Sequence, residues 1–422
     1  MKKNRYGLRY IEENTGIIIV KDGVGEFYPT VFLATQIRKS FNTIVAEAHT
    51  IVSFYNFFDQ IGLDLEERLK NGQYLNRLEI GKLVEFFKFK KSNPKEVVSE
   101  NTRNTRIDRT VKYMTWLGSS FNSKLNYGPI KTDREFNLKE MCNNLKNLVT
   151  TDKNSFNYQF QKPKSLSDTD LRTIEKYLHP KSPFLDGKYK ENVLRNWIIY
   201  KLFISYGIRR GELLRIKIGI DTVRGKKKQS LNLRDGNFTI LRNPDDPLET
   251  RKYRPQVKTL ERTFKLSDDL IYLINDYIKI RSKLGVGRKH NFLFCVHYGQ
   301  HKGNPLSTEA LGRIFRELRE KHKDINPNFT PHALRHTFFN KLAKRMEDYV
   351  VTDEGKEILK RKEQTAEGFM KGVLDNLGGW SPRSETAYLY ISDHTKEAAE
   401  KLTADQNDEL SKIHIKSLEK FL

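Results

Sequence analysis

Three short stretches of this sequence carry residues whose types and spacing suit phosphate chemistry. The first is Tyr206-Gly207-Ile208-Arg209-Arg210-Gly211-Glu212-Leu213-Leu214. Arg209 follows a glycine that ends an apolar run, and an arginine held in such a turn can grip a phosphate with two nitrogens. A plain surface arginine at a helix end is the competing reading. The second is Thr330-Pro331-His332-Ala333-Leu334-Arg335-His336. Thr330 suits an N-cap and Pro331 the first helical position. His332 and Arg335 then lie three apart on one face at a helix N-terminus, where an anion is favoured. A buried structural histidine is the alternative there. Zinc binding by His332 and His336 is a weaker one, because Ala333 stands where a zinc-protease helix has Glu and no third ligand is apparent. The third is Leu377-Gly378-Gly379-Trp380 followed by Glu385-Thr386-Ala387-Tyr388-Leu389-Tyr390-Ile391. Taken alone this stretch reads as an ordinary aromatic helix, and a tyrosine is a poor nucleophile until its phenolate is stabilised. Beside two guanidiniums it can attack a phosphodiester and keep the bond energy as phosphotyrosine.

The elements that must position these groups read as mostly helical with one small antiparallel sheet, an α+β chain. Residues 1–30 read as a β-hairpin, with Ile17–Val20 as a strand, Lys21-Asp22-Gly23 as the turn and Glu26–Tyr28 as the return strand closed by Pro29. Residues 31–150 read as a helical module. Ile44, Ala48, Ile51, Tyr55 and Phe58 share one face, and Ile80, Leu83, Val84 and Phe87 make a second stripe. A helix over Thr105–Leu117 carries Arg103, Arg106, Arg109 and Lys112 on its other face if it extends back that far. That face suits contact with phosphates, or is simply solvated. A further helix is expected over Asn137–Val149. Residues 151–165 read as a linker and 166–422 as a second lobe with a C-terminal tail. Within that lobe, helices are expected over Leu171–Leu178, Trp197–Tyr206, Leu270–Leu284 and Thr308–His322. Short strands fall near Leu231–Leu233, Phe238–Leu241 and Arg262–Leu266. The run Lys226, Lys227 and Lys228 looks like a solvated turn that touches backbone phosphates.

Composition narrows the partner. The 422 residues hold 76 Lys+Arg against 53 Asp+Glu, a formal charge of +23 spread along the whole chain. A folded chain this basic usually meets a polyanion, nucleic acid by default. Cys142 and Cys295 are the only cysteines. They make neither a disulfide framework nor a zinc knuckle and fit buried thiols in a reducing cytosol. No apolar run suggests a signal peptide or a membrane span.

Gly-Ile-Arg-x-x-Glu-Leu, then His-x-x-Arg-His, then Gly-Gly-Trp and Tyr-Ile, in that order, resemble the tyrosine recombinase (phage integrase) family. The motifs span about 166–392; the helical module before them resembles the family's core-binding domain only in size and pattern. The resemblance implies that Arg209 and Arg335 bind the non-bridging oxygens of a scissile phosphate, that Glu212 buttresses them, and that His332 is the general acid/base. It implies that Trp380 donates a hydrogen bond. It also implies a catalytic lysine on a β-hairpin between the arginine motifs, for which Lys258 in Val257-Lys258-Thr259-Leu260-Glu261-Arg262-Thr263 is the match; Lys226, Lys227 and Lys228 are competitors. Tyr390 is the implied nucleophile, since Trp380 and the Tyr-Ile pair then both match. Counting from Gly379 gives Tyr388 instead, and the spacing from Trp380 to Tyr390 is one residue longer than the family's usual.

The implied activity is site-specific cutting and rejoining of double-stranded DNA through a 3′-phosphotyrosyl intermediate, in the cytoplasm, by four copies on two DNA sites. No Walker loop, acidic metal cluster or nucleotide site is visible, so no cofactor is expected. A type IB topoisomerase or telomere resolvase would share this chemistry, and a DNA-binding protein without catalysis is the reading from another class. A partial apolar stripe, Leu410, Ile413, Leu418 and Phe421, suggests a tail that docks on a neighbouring copy or on its own lobe. The segment around Glu354–Gln364 is longer than the family's usual, an insertion or an assembly surface.

Overall fold

The computed structural model describes residues 5–11, 16–37, 39–89, 96–148, 165–185, 189–244, 246–251, 253–285 and 289–391. Nearly all of the expected linker and the whole tail stripe lie outside them. The chain divides into two compact units, 1–158 and 159–422.

In the first unit, β1 (Tyr6–Tyr10), β2 (Ile17–Lys21) and β3 (Val24–Gly25) form an antiparallel sheet in that order. The expected return strand does not form. Phe27 and Tyr28 open a helix, α1 (Phe27–Ala34), and Pro29 sits in its first turn, where a missing N–H costs nothing. The sheet packs into the core of this unit. Ile17 and Ile19 are buried in the same core as Phe32 and Ala48, and the Asn56 side chain exchanges two hydrogen bonds with the backbone of Tyr6. That core is built by α2 (Phe41–Gln60), α3 (Leu65–Lys70), α4 (Arg77–Phe87), α5 (Glu100–Asn122) and α6 (Pro129–Asn147). Helix α5 does extend back beyond Thr105, because Ser99 caps it by accepting from the Thr102 amide.

The second unit begins with α7 (Asp168–Leu178), closed at its start by a capping box between Ser167 and Asp170. Helix α8 (Lys190–Tyr206) is buried along most of its length and packs against two later helices, α10 (Asp268–Ser282) and α12 (Pro331–Val350). It stops at Gly207, whose φ of +56° is left-handed. Replacing Gly207 by alanine would strain that turn by about 1–2 kcal/mol, and the new Cβ would lie 2.3 Å from Cδ1 of Phe338. Gly207→Ala is therefore expected to lower the melting temperature of the unit by several degrees; an unshifted melt would show that the turn relaxes freely.

After the short helix α9 (Arg210–Leu214) come a two-stranded hairpin, β4 (Ile220–Val223) with β5 (Lys226–Gln229), and a three-stranded antiparallel sheet, β6 (Leu231–Asn232), β7 (Asn237–Ile240) and β8 (Arg262–Lys265). The lysine run is thus a strand, not a turn: Arg224 and Gly225, both at positive φ, make the bend. The chain between β7 and β8 carries a buried ionic cluster. There Arg251 binds Glu249 and donates to the carbonyls of Leu214 and Leu306, which pins the end of α9. Helices α11 (Thr308–Lys321), α13 (Asp353–Arg361) and α14 (Ala366–Gly378) complete the unit with a last turn, α15, over 386–391. The longer segment around Glu354–Gln364 is mainly α13, a charged helix whose Gly355 is its only fully buried residue.

Candidate active site

Arg209 and Arg335 lie 126 positions apart in sequence and reach the same atom. Arg209 is the N-cap residue of α9, its backbone N–H held by Glu212 Oε2 at 2.8 Å. Its Nη1 donates to the Gly378 carbonyl at 3.1 Å. Arg335, on the first turns of α12, donates through Nη2 to that same oxygen at 3.1 Å and through Nη1 to the Gly207 carbonyl. Arg209 keeps about a third of its side chain exposed, whereas Arg335 is 3% exposed. Burial, and next the neighbouring Arg209 charge, hold the Arg335 guanidinium down at about 9. Burial also lowers Arg209.

One carboxylate answers these charges. Glu212 accepts from Thr259 Oγ1 at 2.6 Å and pairs with Arg262 Nη2 at 2.7 Å. Burial pushes its carboxyl up, but Arg262, Thr259 and the Arg209 amide outweigh that and keep it below the usual carboxylate range. Three guanidiniums around one carboxylate leave the cluster two charges in excess, which is the electrostatic signature of an anion site.

The glycine pair after α14 is gripped at three consecutive carbonyls. Arg262 takes Leu377, the two other arginines take Gly378, and the Leu260 amide takes Gly379 at 3.0 Å. Gly379 has φ +62°, and a Cβ there would sit 2.6 Å from the Arg262 guanidinium and 2.7 Å from Cβ of Thr259. The following Trp380 is 7% exposed, and its indole N–H is buried without an acceptor among the described residues. This unpartnered donor sits beside the Arg335 guanidinium, which lies 5.2 Å from the indole centroid, and could donate to an oxyanion.

Tyr390 belongs to this cluster and Tyr388 does not. Tyr390 is 2% exposed, and its ring stacks on Trp380 with centroids 5.8 Å apart and planes 17° apart. Its hydroxyl lies 2.8 Å from His336 Nδ1. Tyr388 is 41% exposed under the Lys371 ammonium. The two are separated as alternation on a helix requires.

His332 does not touch the phenol. It is exposed and lies 2.8 Å from His336, Nε2 to Nε2. The histidine pair faces itself and the phenol, and no cluster of three metal-ligating side chains exists among the described residues. Lys258 is exposed, in the segment that enters β8, adjoining Thr259. It is not on a tight hairpin, because β7 ends at Ile240 and the connection to Arg262 is long. Lys226 and Lys227 are exposed on β5, while Lys228 binds Glu261.

On the first unit the four basic residues of α5 are mostly occupied. Arg106 donates to the carbonyls of Phe87 and Phe89, both at 2.8 Å, Arg109 to that of Ala46 at 3.0 Å, and Arg103 pairs with Glu100. Only Lys112 of the four is exposed. The face expected to be open is thus largely a polar seam between helices.

Residues 184–352 match the model of the phage integrase family. This part of the chain is a phage integrase domain, of the tyrosine recombinase family. The match takes in Arg209, Glu212, Lys258, His332 and Arg335, and ends before Trp380 and Tyr390. No curated protein matches the sequence. Among solved structures, XerH site-specific recombinase bound to difH substrate is similar at 18% identity, over 85% of this chain and 79% of that one, with a TM-score of 0.47. The Tn1549 transposon integrase in complex with transposon right end DNA is similar at 16% identity, over 82% and 98%, with a TM-score of 0.37. No described helix of the chain is long and apolar enough to cross a membrane.

The motifs led to both arginines, Glu212, Trp380 and Tyr390, but three partners of the integrase domain were missed. Arg262 and Thr259 stood in the lysine motif without a role, and His336 entered only as a zinc candidate. Each was visible as a polar residue inside a motif; what the sequence lacked was the fold that buries it against Glu212 or Tyr390.

Proposed function

We propose that this chain is a site-specific recombinase that cuts and rejoins double-stranded DNA through a 3′-phosphotyrosyl intermediate. The observation that carries the reading is the meeting of Arg209 and Arg335 on one oxygen, with the Tyr390 phenol in the same small cluster. A scissile phosphate would take the place of the Gly378 carbonyl. Arg209, Arg335 and the Trp380 N–H would then meet the charge that grows on its non-bridging oxygens, each such donor contributing about 3 kcal/mol. Tyr390 attacks phosphorus, the bond to the 5′-oxygen breaks, and Lys258 protonates that leaving oxygen. The free 5′-hydroxyl of a partner strand reverses the step. Bonds are exchanged one for one, so ATP is not consumed.

The exposed Lys226, Lys227 and Lys112 supply backbone contacts that carry affinity rather than sequence. The XerH and Tn1549 structures are complexes with DNA, and this chain is assigned the same class of partner. It works as four copies on two sites in the cytoplasm.

A nicked suicide duplex, which loses its 5′-hydroxyl fragment on cleavage, tests the reading. A denaturant-resistant protein–DNA adduct at the 3′-phosphate is expected. Binding without any adduct would leave only a DNA-binding protein, and relaxation of any supercoiled plasmid without strand exchange would make it a topoisomerase.

A further inference from the structure

The contact between Tyr390 and His336 continues to His332: phenol to Nδ1 at 2.8 Å, then Nε2 to Nε2 at 2.8 Å. His336 is half-buried between a fully buried phenol and an exposed imidazole. It is therefore the only one of the three groups that touches both others, and the line it makes runs from the interior to solvent. We propose that His336 is the immediate acceptor of the Tyr390 phenolic proton and that His332 is the outlet through which that proton leaves. This rests on the phosphotyrosyl reading of the site and changes the role given above to His332, from direct base to relay.

Two proton arrangements satisfy both contacts. In one, Tyr390 donates to His336 Nδ1, and His336 Nε2–H donates to His332. In the other, His332 donates to His336 Nε2, and His336 Nδ1–H donates to the phenol oxygen. A phenol O–H is more acidic than the N–H of a neutral imidazole, and the imidazole lone pair is a better acceptor than a neutral phenol oxygen. A phenol facing an imidazole nitrogen therefore donates, which selects the first arrangement. The groups acting on the pair are Arg335 on α12 and Arg209 at the start of α9, both cationic, besides His332 and Tyr390 themselves. Burial, then His332 and Arg335, hold His336 down at about 4, so at neutral pH it is uncharged and its Nδ1 lone pair is available.

The step balances. As the Tyr390 oxygen forms its bond to phosphorus, its proton moves to His336 Nδ1 and the proton on His336 Nε2 moves to His332 Nε2. His336 ends neutral, as the other tautomer, and His332 ends as imidazolium and loses its proton to water. The bond from phosphorus to the 5′-oxygen breaks, and that oxygen takes a proton from Lys258.

Two measurements on the full chain decide the matter. Single-turnover adduct formation on a nicked duplex is followed from pH 5.5 to 9 for the unsubstituted protein and for His336→Gln. A general base contributes about 10²–10⁴-fold, so the variant is expected to be at least about 100-fold slower at pH 7. Its rate should then rise about tenfold per pH unit, because hydroxide must make the phenolate, while the unsubstituted profile stays nearly flat. A variant as fast as the parent, or a slower one with a profile of the same shape, overturns the relay; the second result would mark a merely structural histidine. The other measurement does not need activity. Nitrogen-15 NMR of the histidine-labelled chain is expected to show His336 with a bare Nδ1 whose resonance shifts in Tyr390→Phe. A protonated Nδ1 overturns the relay. If the unsubstituted chain forms no adduct, the functional reading fails, and the NMR arm still decides the proton arrangement.

Discussion

Tyr390→Phe should bind duplex DNA within a few-fold of the parent and form no covalent adduct at all. Phenylalanine keeps the ring stacked on Trp380 and against Phe339, and the loss of the hydrogen bond to His336 costs about 1 kcal/mol. What disappears is the hydroxyl proposed to attack phosphorus. Tyr388→Phe should leave the adduct intact, since that hydroxyl is on the exposed side of α15. Gel shift and denaturing electrophoresis on a nicked duplex read both quantities. The inverse pattern, adduct lost at 388 and kept at 390, would move the nucleophile by one alternate helical position.

The second large effect is on stability. Glu212→Gln removes the charge that compensates Arg262, in a pair whose side chains are 0% and 3% exposed. Breaking a buried pair from one side costs about 3–5 kcal/mol, because the other charge stays buried alone. Urea unfolding should report a loss of that order, and a loss below about 1 kcal/mol would mean that the pocket rearranges or hydrates. The pH dependence has a definite sign. The Glu212 carboxyl lies below its ordinary range in the folded chain. Its contribution is therefore complete above the ordinary value, about 4.3, and is lost as pH falls through the folded one. The gap between parent and variant should be widest near neutrality and close on acidification.

Much of this arrangement can be read before folding. Helix α8 announces itself by its apolar run and by the glycine that must end it, and α12 by Thr330 and Pro331 at its start. These local rules place Arg209 and Arg335 at element ends, where side chains converge. Other features depend on partners far along the chain. Phe27 and Tyr28 have strand-like composition, yet they open a helix because Phe32 and Leu33, a turn further on, are what the core under β2 takes up; Phe27 itself stays exposed. The arginines of α5 look like a charged outer face, but Phe87, Phe89 and Ala46 offer carbonyls that capture two of them. The lysine run forms a strand because Arg224 and Gly225 can make the bend before it. Lys258 lies on a long connection because the chain first detours through the ionic cluster around Glu249 and Arg251. His336 escaped notice for the same reason: only the docking of 386–391 gives it a phenol to face.

Arg335 joins the first residue after α8 to the last residue of α14 by donating to Gly207 and Gly378. It is thus a strut, in addition to the phosphate-binding role proposed for it. Cutting it back to alanine would strand the Gly207 carbonyl, leave Gly378 to Arg209 alone and loosen the tether of the Trp380 segment, besides deleting a charge. The fall in rate from such a truncation would sum an architectural loss with an electrostatic one. Arg209, partly exposed and touching the Gly378 oxygen and Glu212, is the better gauge of what one guanidinium would contribute to holding a phosphate.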